Sequence, residues 1–102
     1  MKQYKIKRGF KPDIERIYSV MEECFPGEIF RNGIYIETAY GALSKIKVWI
    51  ANKMLIVDTV SDKTISDEKI ILQTNKDFRE FLYKATGYTT KERRKNAAKD
   101  VD

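Results

Sequence analysis

GIYIETAYGALSKIKVWIANKMLIVDT, residues 33–59, alternates apolar and polar side chains with a period of two, and that period sets the architecture. Ile34, Ile36, Thr38 and Tyr40 share one side of a strand, Ile46, Val48 and Ile50 one side of the next, and Leu55, Val57 and Thr59 one side of a third. A two-residue loop at Asn52-Lys53 pairs Ile50 with Leu55 and Val48 with Val57, which puts both dry rows on the same face. Between the first two strands, a three-residue loop of Gly41, Ala42 and Leu43 sets Ile36 opposite Val48. A two-residue loop would set it opposite Lys47 and turn the strand inside out. The stretch reads as three consecutive antiparallel strands with one dry face and one open face.

On the N-terminal side, Tyr4 and Ile6 alternate with Lys5 and Lys7 as a first strand ended by Gly9. Pro12 then opens a helix whose Ile14, Ile17, Tyr18, Met21, Cys24 and Phe25 form one apolar stripe, stopped at Pro26-Gly27. On the C-terminal side, a polar loop from Ser61 to Glu68 leads to Ile70 and Leu72 as a last strand. Thr74 and Asp77 form a capping box for a second helix, striped by Phe78, Phe81, Leu82 and Ala85 and ended by Gly87. Residues 1–87 therefore make a single α+β domain. The predicted order is strand, helix, four strands, helix: a two-layer sandwich with an antiparallel sheet and both helices on one face. Residues 88–102 form a basic C-terminal tail with almost no apolar stripe, expected to be flexible or partly helical.

The 102 residues contain no histidine and one cysteine, which excludes histidine-based triads, histidine zinc sites and an intrachain disulfide. Cys24 reads as a small buried apolar residue rather than a reactive thiol. The glycines are scattered as turn and cap residues, so no phosphate-cradling loop is present and no cofactor is expected. The formal net charge of +5 is concentrated at the two ends of the chain. No apolar run approaches a signal-peptide core or a membrane span, so the expectation is a cytoplasmic protein with no membrane partner.

The side of the sheet away from the helices is where function is expected. Tyr35, Trp49 and Ile56 line up across it, followed by Glu37, Lys47 and Asp58, then by Ala39, Lys45 and Val60. Lys5, Lys7, Ile71 and Gln73 are expected to join from the outer strands. A flat aromatic beside lysines is the surface on which sheet proteins stack bases and neutralise phosphates. The expected non-enzymatic function is binding of DNA or RNA: Tyr35 and Trp49 contact bases, Lys5, Lys7, Lys45 and Lys47 meet phosphates, and Arg93, Arg94 and Lys95 form a tail clamp. The alternative is a protein-interaction or homodimerisation module that buries the same aromatic and apolar face. The blander account is an ordinary cross-strand aromatic pair beside a charge ladder. Glu37 and Asp58 flank Lys47 on an exposed face, where nothing tunes an acid and base pair for catalysis.

The predicted element order over residues 2–87 resembles one half of the TATA-box-binding-protein fold. The segments KQYKIKRGF, GIYIETAYG and FREFLYKATGY also resemble a family of small uncharacterised archaeal proteins with that fold. The resemblance implies a concave open sheet as a nucleic-acid surface. TATA-binding proteins carry two such halves and wedge phenylalanines into the minor groove. One half per chain implies that a saddle needs a homodimer. Phe10, Phe25, Phe30, Phe78 and Phe81 fall to helices or loops, so the resemblance carries over the fold and no wedge residue.

Overall fold

The computed structural model describes residues 2–99. Along the chain lie β1 (Lys2–Lys5), α1 (Ile14–Cys24), β2 (Phe30–Asn32), β3 (Tyr35–Tyr40), β4 (Leu43–Ala51), β5 (Met54–Ser61), α2 (Glu68–Thr86) and α3 (Thr90–Lys99). The strands form an antiparallel sheet in the order β1-β5-β4-β3-β2. Helices α1 and α2 pack on one side of it, which gives the expected two-layer α+β sandwich.

The central strands pair largely as their periodicity predicts. Asn52 and Lys53 both have positive φ, 53° and 63°, which gives the left-handed turn whose twist matches a two-residue hairpin. Ile50 accordingly faces Leu55, and Val48 faces Val57. Ile36 faces Val48, but the means differs from the expected three-residue loop. Tyr40 pairs with Leu43 across a two-residue Gly41-Ala42 turn, the β3–β4 ladder slips between Thr38 and Tyr40, and the β4–β5 ladder slips between Leu43 and Lys45. The extra residue is thus absorbed as a bulge at Ser44, whose hydroxyl donates to the Val60 carbonyl at 3.2 Å. The bulge turns Leu43 toward the core beside Tyr40.

Three expectations are corrected. Ile70 and Leu72 are not a strand: α2 already begins at Glu68, and Asp67 caps it by accepting from the Lys69 N–H at 2.9 Å. The Asp67 cap and a stretch free of Gly and Pro from Glu68 to Thr86 outweigh the two-position alternation of Ile70 and Leu72. Thr74 is therefore inside the helix, where its hydroxyl donates to the Ile70 carbonyl at 2.7 Å and accepts from the Ala42 N–H at 3.0 Å. Gly41 makes this contact possible, because a Cβ there would lie 2.0 Å from the Thr74 hydroxyl. The fourth strand is instead β2, whose three residues are all exposed and so offer no alternation to read. Ile34 leaves its predicted dry row, because the pairing of Asn32 with Tyr35 puts it in the turn, exposed.

The core is built from Ile17, Met21 and Phe25 below, Ile36, Ile46, Val48, Leu55 and Val57 on the sheet, and Phe81, Leu82 and Ala85 on α2. The Phe25 ring lies 5.3 Å from both Tyr40 and Phe81, joining α1, β3 and α2. Arg16 on α1 donates to the carbonyls of Lys84 and Ala85 at 3.2 and 2.6 Å, neutralising the C-terminal end of α2. Burial raises the pKa of Cys24, consistent with a packing role.

The Tyr40 hydroxyl donates to Asp77, which also accepts from the Gln73 amide at 3.0 Å. These bonds hold the Asp77 carboxyl below the usual carboxylate range, the Tyr40 bond more than the Gln73 bond. A depressed native pKa contributes stability that is fully present above the unfolded value of about 4 and is lost as pH falls through the native value. Asp77→Asn is therefore expected to flatten the acid limb, so that its urea midpoint falls less than the wild-type midpoint between pH 5 and pH 2. Equal acid slopes in the two proteins would contradict this role.

Candidate nucleic-acid interface

Residues that pair directly across neighbouring strands point to the same side of a sheet, so the ladders define the helix-free face. Tyr35, Trp49 and Ile56 form one row, closed at the β1 edge by Gln3. Phe30, Glu37, Lys47 and Asp58 form the next, and Lys45 and Val60 belong to a third. The predicted rows on β3, β4 and β5 are therefore present, except that Ala39 falls at the register shift between Thr38 and Tyr40 instead of in a ladder with Lys45. Trp49 is half-buried and belongs to no helix-side cluster. Its ring meets Tyr35 edge to face, with centroids 5.3 Å apart and planes at 73°. The Lys47 ammonium lies 4.3 Å from the Tyr35 centroid and 6.0 Å from that of Trp49. At these distances the ring quadrupoles attract the cation, so three side chains form one aromatic and cationic cluster.

The apolar part of the face differs from expectation. Ile56 is only 4% exposed, whereas Val60 is 48% exposed. Phe30, expected in a loop, faces outward opposite Glu37 and is 61% exposed. Ile71 and Gln73 are absent from this face because they belong to α2.

The nominated cations divide. Lys45 and Lys47 stand on the open face, and Lys5 shares its side at the β1 edge, opposite Met54. Lys7 lies beyond β1, where its N–H donates to the Thr86 carbonyl at 2.8 Å and its ammonium sits 5.9 Å from the Tyr88 ring. Arg93, Arg94 and Lys95 are on α3, which packs beside β1. A reciprocal capping box starts that helix: the Thr89 N–H donates to Glu92 at 3.0 Å, and the Glu92 N–H donates to the Thr89 hydroxyl at 3.2 Å. Arg93 folds back to donate to the Tyr88 carbonyl at 2.6 Å and the Thr90 hydroxyl at 2.9 Å.

Between β1, α2 and α3 a groove of about 490 Å³ opens, and Lys5, Arg93 and Arg94 line it. Lys95 does not line it. Burial lowers the Arg93 pKa, Tyr4 opposes that shift and Arg79 adds to it.

Comparison with known proteins adds an affiliation. A family described as a domain of unknown function, DUF5611, matches residues 1–99. The chain belongs to that family. The NMR solution structure of a hypothetical protein from Thermoplasma acidophilum is similar to the DUF5611 chain, with a TM-score of 0.68 and 27% identity over 95% of this chain and 97% of that one. Both comparisons agree with the expected affinity to small uncharacterised proteins of archaeal type. No curated protein matches the chain. Among the described residues, no helix is long and apolar enough to cross a membrane.

Sequence reasoning did not find Lys2, Tyr4, Phe78, Arg79 and Tyr88 as one lining, because β1 lies far in sequence from α2 and the segment that follows it in the DUF5611 chain. The sequence signal was available only in part. Arg79 follows Phe78 on the edge of the α2 stripe, and Arg93-Arg94 opens the basic tail.

Proposed function

We propose that the protein binds nucleic acid, without catalysis, through the helix-free face of its sheet. The cluster of Tyr35, Trp49 and Lys47 carries this proposal: two amphipathic rings and a cation share one open surface. Bases stack on such rings, while Lys45, Lys47 and Lys5 neutralise phosphates along the way to the β1 edge. From β4 to β1 is two strand spacings, about 10 Å. Helix α3, which carries Arg93, Arg94 and Lys95, packs beside that edge. Glu37 and Asp58 flank Lys47 in a row that lies between Lys45 toward one end of the strands and Lys5 toward the other, so a phosphate path between them meets that row at Lys47. The resemblance to half of the TATA-box-binding-protein fold adds support at the level of fold alone. Phe30 supplies an exposed phenylalanine of the kind such proteins wedge between base steps.

Trp49 is the single tryptophan, so its fluorescence reports on the proposed surface without competing signals. Quenching by short oligonucleotides at low salt is the expected result. An unresponsive Trp49 with undetectable binding at low salt would remove the proposal. A protein partner or second copy of the chain is the alternative occupant, favoured by the exposed Phe30, Ile34 and Val60. Sedimentation separates the two, since a salt-insensitive dimer lost in Trp49→Ala indicates apolar self-association.

A further inference from the structure

The groove between β1, α2 and α3 meets the open face at Gln3 and Lys5 and has its own lining. Its rim carries Lys2, Lys5, Arg79, Arg93 and Arg94, and no carboxylate side chain among the described residues lines it. Its floor includes three rings, those of Tyr4, Phe78 and Tyr88. The volume of about 490 Å³ falls within the range of small-ligand pockets.

Electrostatics and geometry point to one class of ligand. Burial disfavours the charge of Arg93, and the neighbouring Arg79 guanidinium adds to that effect. Two guanidinium groups held together repel, and an anion placed between them relieves that repulsion. Arg93 is preorganised for this contact, because its bonds to Tyr88 and Thr90 fix the guanidinium before any ligand arrives. Guanidinium groups match phosphate through parallel N–H donors. The flat rings of the floor suit a planar heterocycle, which stacks on aromatic faces.

We propose that this groove is a nucleotide-binding site, with the base against Tyr4, Phe78 and Tyr88 and the phosphate held by Arg79, Arg93 and Arg94. The nucleotide is either free or the phosphorylated end of a strand, and both present the same chemistry. The site shares Lys5 and cations of α3 with the open-face proposal, but it uses neither Trp49 nor Tyr35, so the two proposals are tested separately.

The test is residue-resolved chemical-shift titration of the full chain with adenosine 5′-monophosphate, adenosine, inorganic phosphate and decanoate. Adenosine 5′-monophosphate is expected to shift residues of β1, α2 and α3, leave the Trp49 indole unmoved, and bind at least about tenfold more tightly than adenosine or phosphate alone. Arg79→Ala and Arg94→Ala, both at exposed positions, are each expected to weaken it about tenfold. A hexanucleotide with a 5′-phosphate that shifts the same residues more strongly than its 5′-hydroxyl counterpart assigns the strand end. Shifts from the mononucleotide alone assign a free nucleotide. Equal binding of adenosine and its monophosphate, unchanged affinity in both arginine variants, or tighter binding of decanoate would overturn the site. If these failures occur while oligonucleotides still quench Trp49, the open-face proposal stands and the groove proposal falls.

Discussion

Phe81→Ala is expected to remove about 3–5 kcal/mol of folding free energy, the range for deleting a buried phenylalanine ring. Phe81 is fully buried on α2, with its ring 5.3 Å from Phe25 and 6.2 Å from Phe78. Its removal leaves a cavity at the point where both helices and the sheet meet, and the Gly41–Thr74 contact and the Arg16 bonds limit how far the layers can collapse into it. Single domains have total stabilities of about 5–15 kcal/mol, so this loss is a large share of the whole. Urea denaturation checks it: the midpoint falls while the slope with denaturant stays constant. Tyr83→Ala, on the exposed side of the same helix, is expected to stay within about 0.5 kcal/mol. A loss below about 1 kcal/mol for Phe81→Ala would mean that the core is not centred on this junction.

The second large effect is the loss of oligonucleotide affinity with salt. Single-stranded nucleic acid releases counterions with a slope of about −0.7 per phosphate neutralised. With about four phosphates met by Lys45, Lys47, Lys5 and one cation of α3, the slope of log affinity against log salt is about −3, and affinity falls roughly 50-fold between 50 and 200 mM salt. Lys45→Ala, which removes one cation from the face without touching the aromatic pair, is expected to make the slope shallower by about 0.7. Titrations followed through Trp49 fluorescence measure both quantities. Salt-independent binding would assign the surface to apolar contacts and hence to a protein partner.

The sequence exposes the parts of the fold that depend on periodicity. The rows of β3, β4 and β5 and the Asn52-Lys53 turn are legible because each strand has one wet and one dry side over several residues. The uniformly exposed β2 has no such contrast, and Phe30 was consequently missed on the open face. At Ile70 and Leu72, a two-residue alternation was too short to distinguish a strand from the first turns of an amphipathic helix. The Ser44 bulge preserves the predicted register by a route that the loop length could not reveal. Among the site residues, Tyr35, Trp49, Lys45 and Lys47 followed from register alone. Lys7 did not, because β1 ends at Lys5 and the chain then turns toward Thr86. The groove needed tertiary structure, since its floor and rim converge from both ends of the chain.

The most direct measurement of the open-face proposal is a map of backbone and indole N–H shifts on addition of a short single-stranded oligonucleotide at low salt. The proposal predicts that the largest changes fall on Tyr35, Lys47, the Trp49 indole and their neighbours on β3, β4 and β5, with α1 unperturbed. Changes confined to the helix layer, or an unmoved Trp49 indole at saturating oligonucleotide, would contradict it.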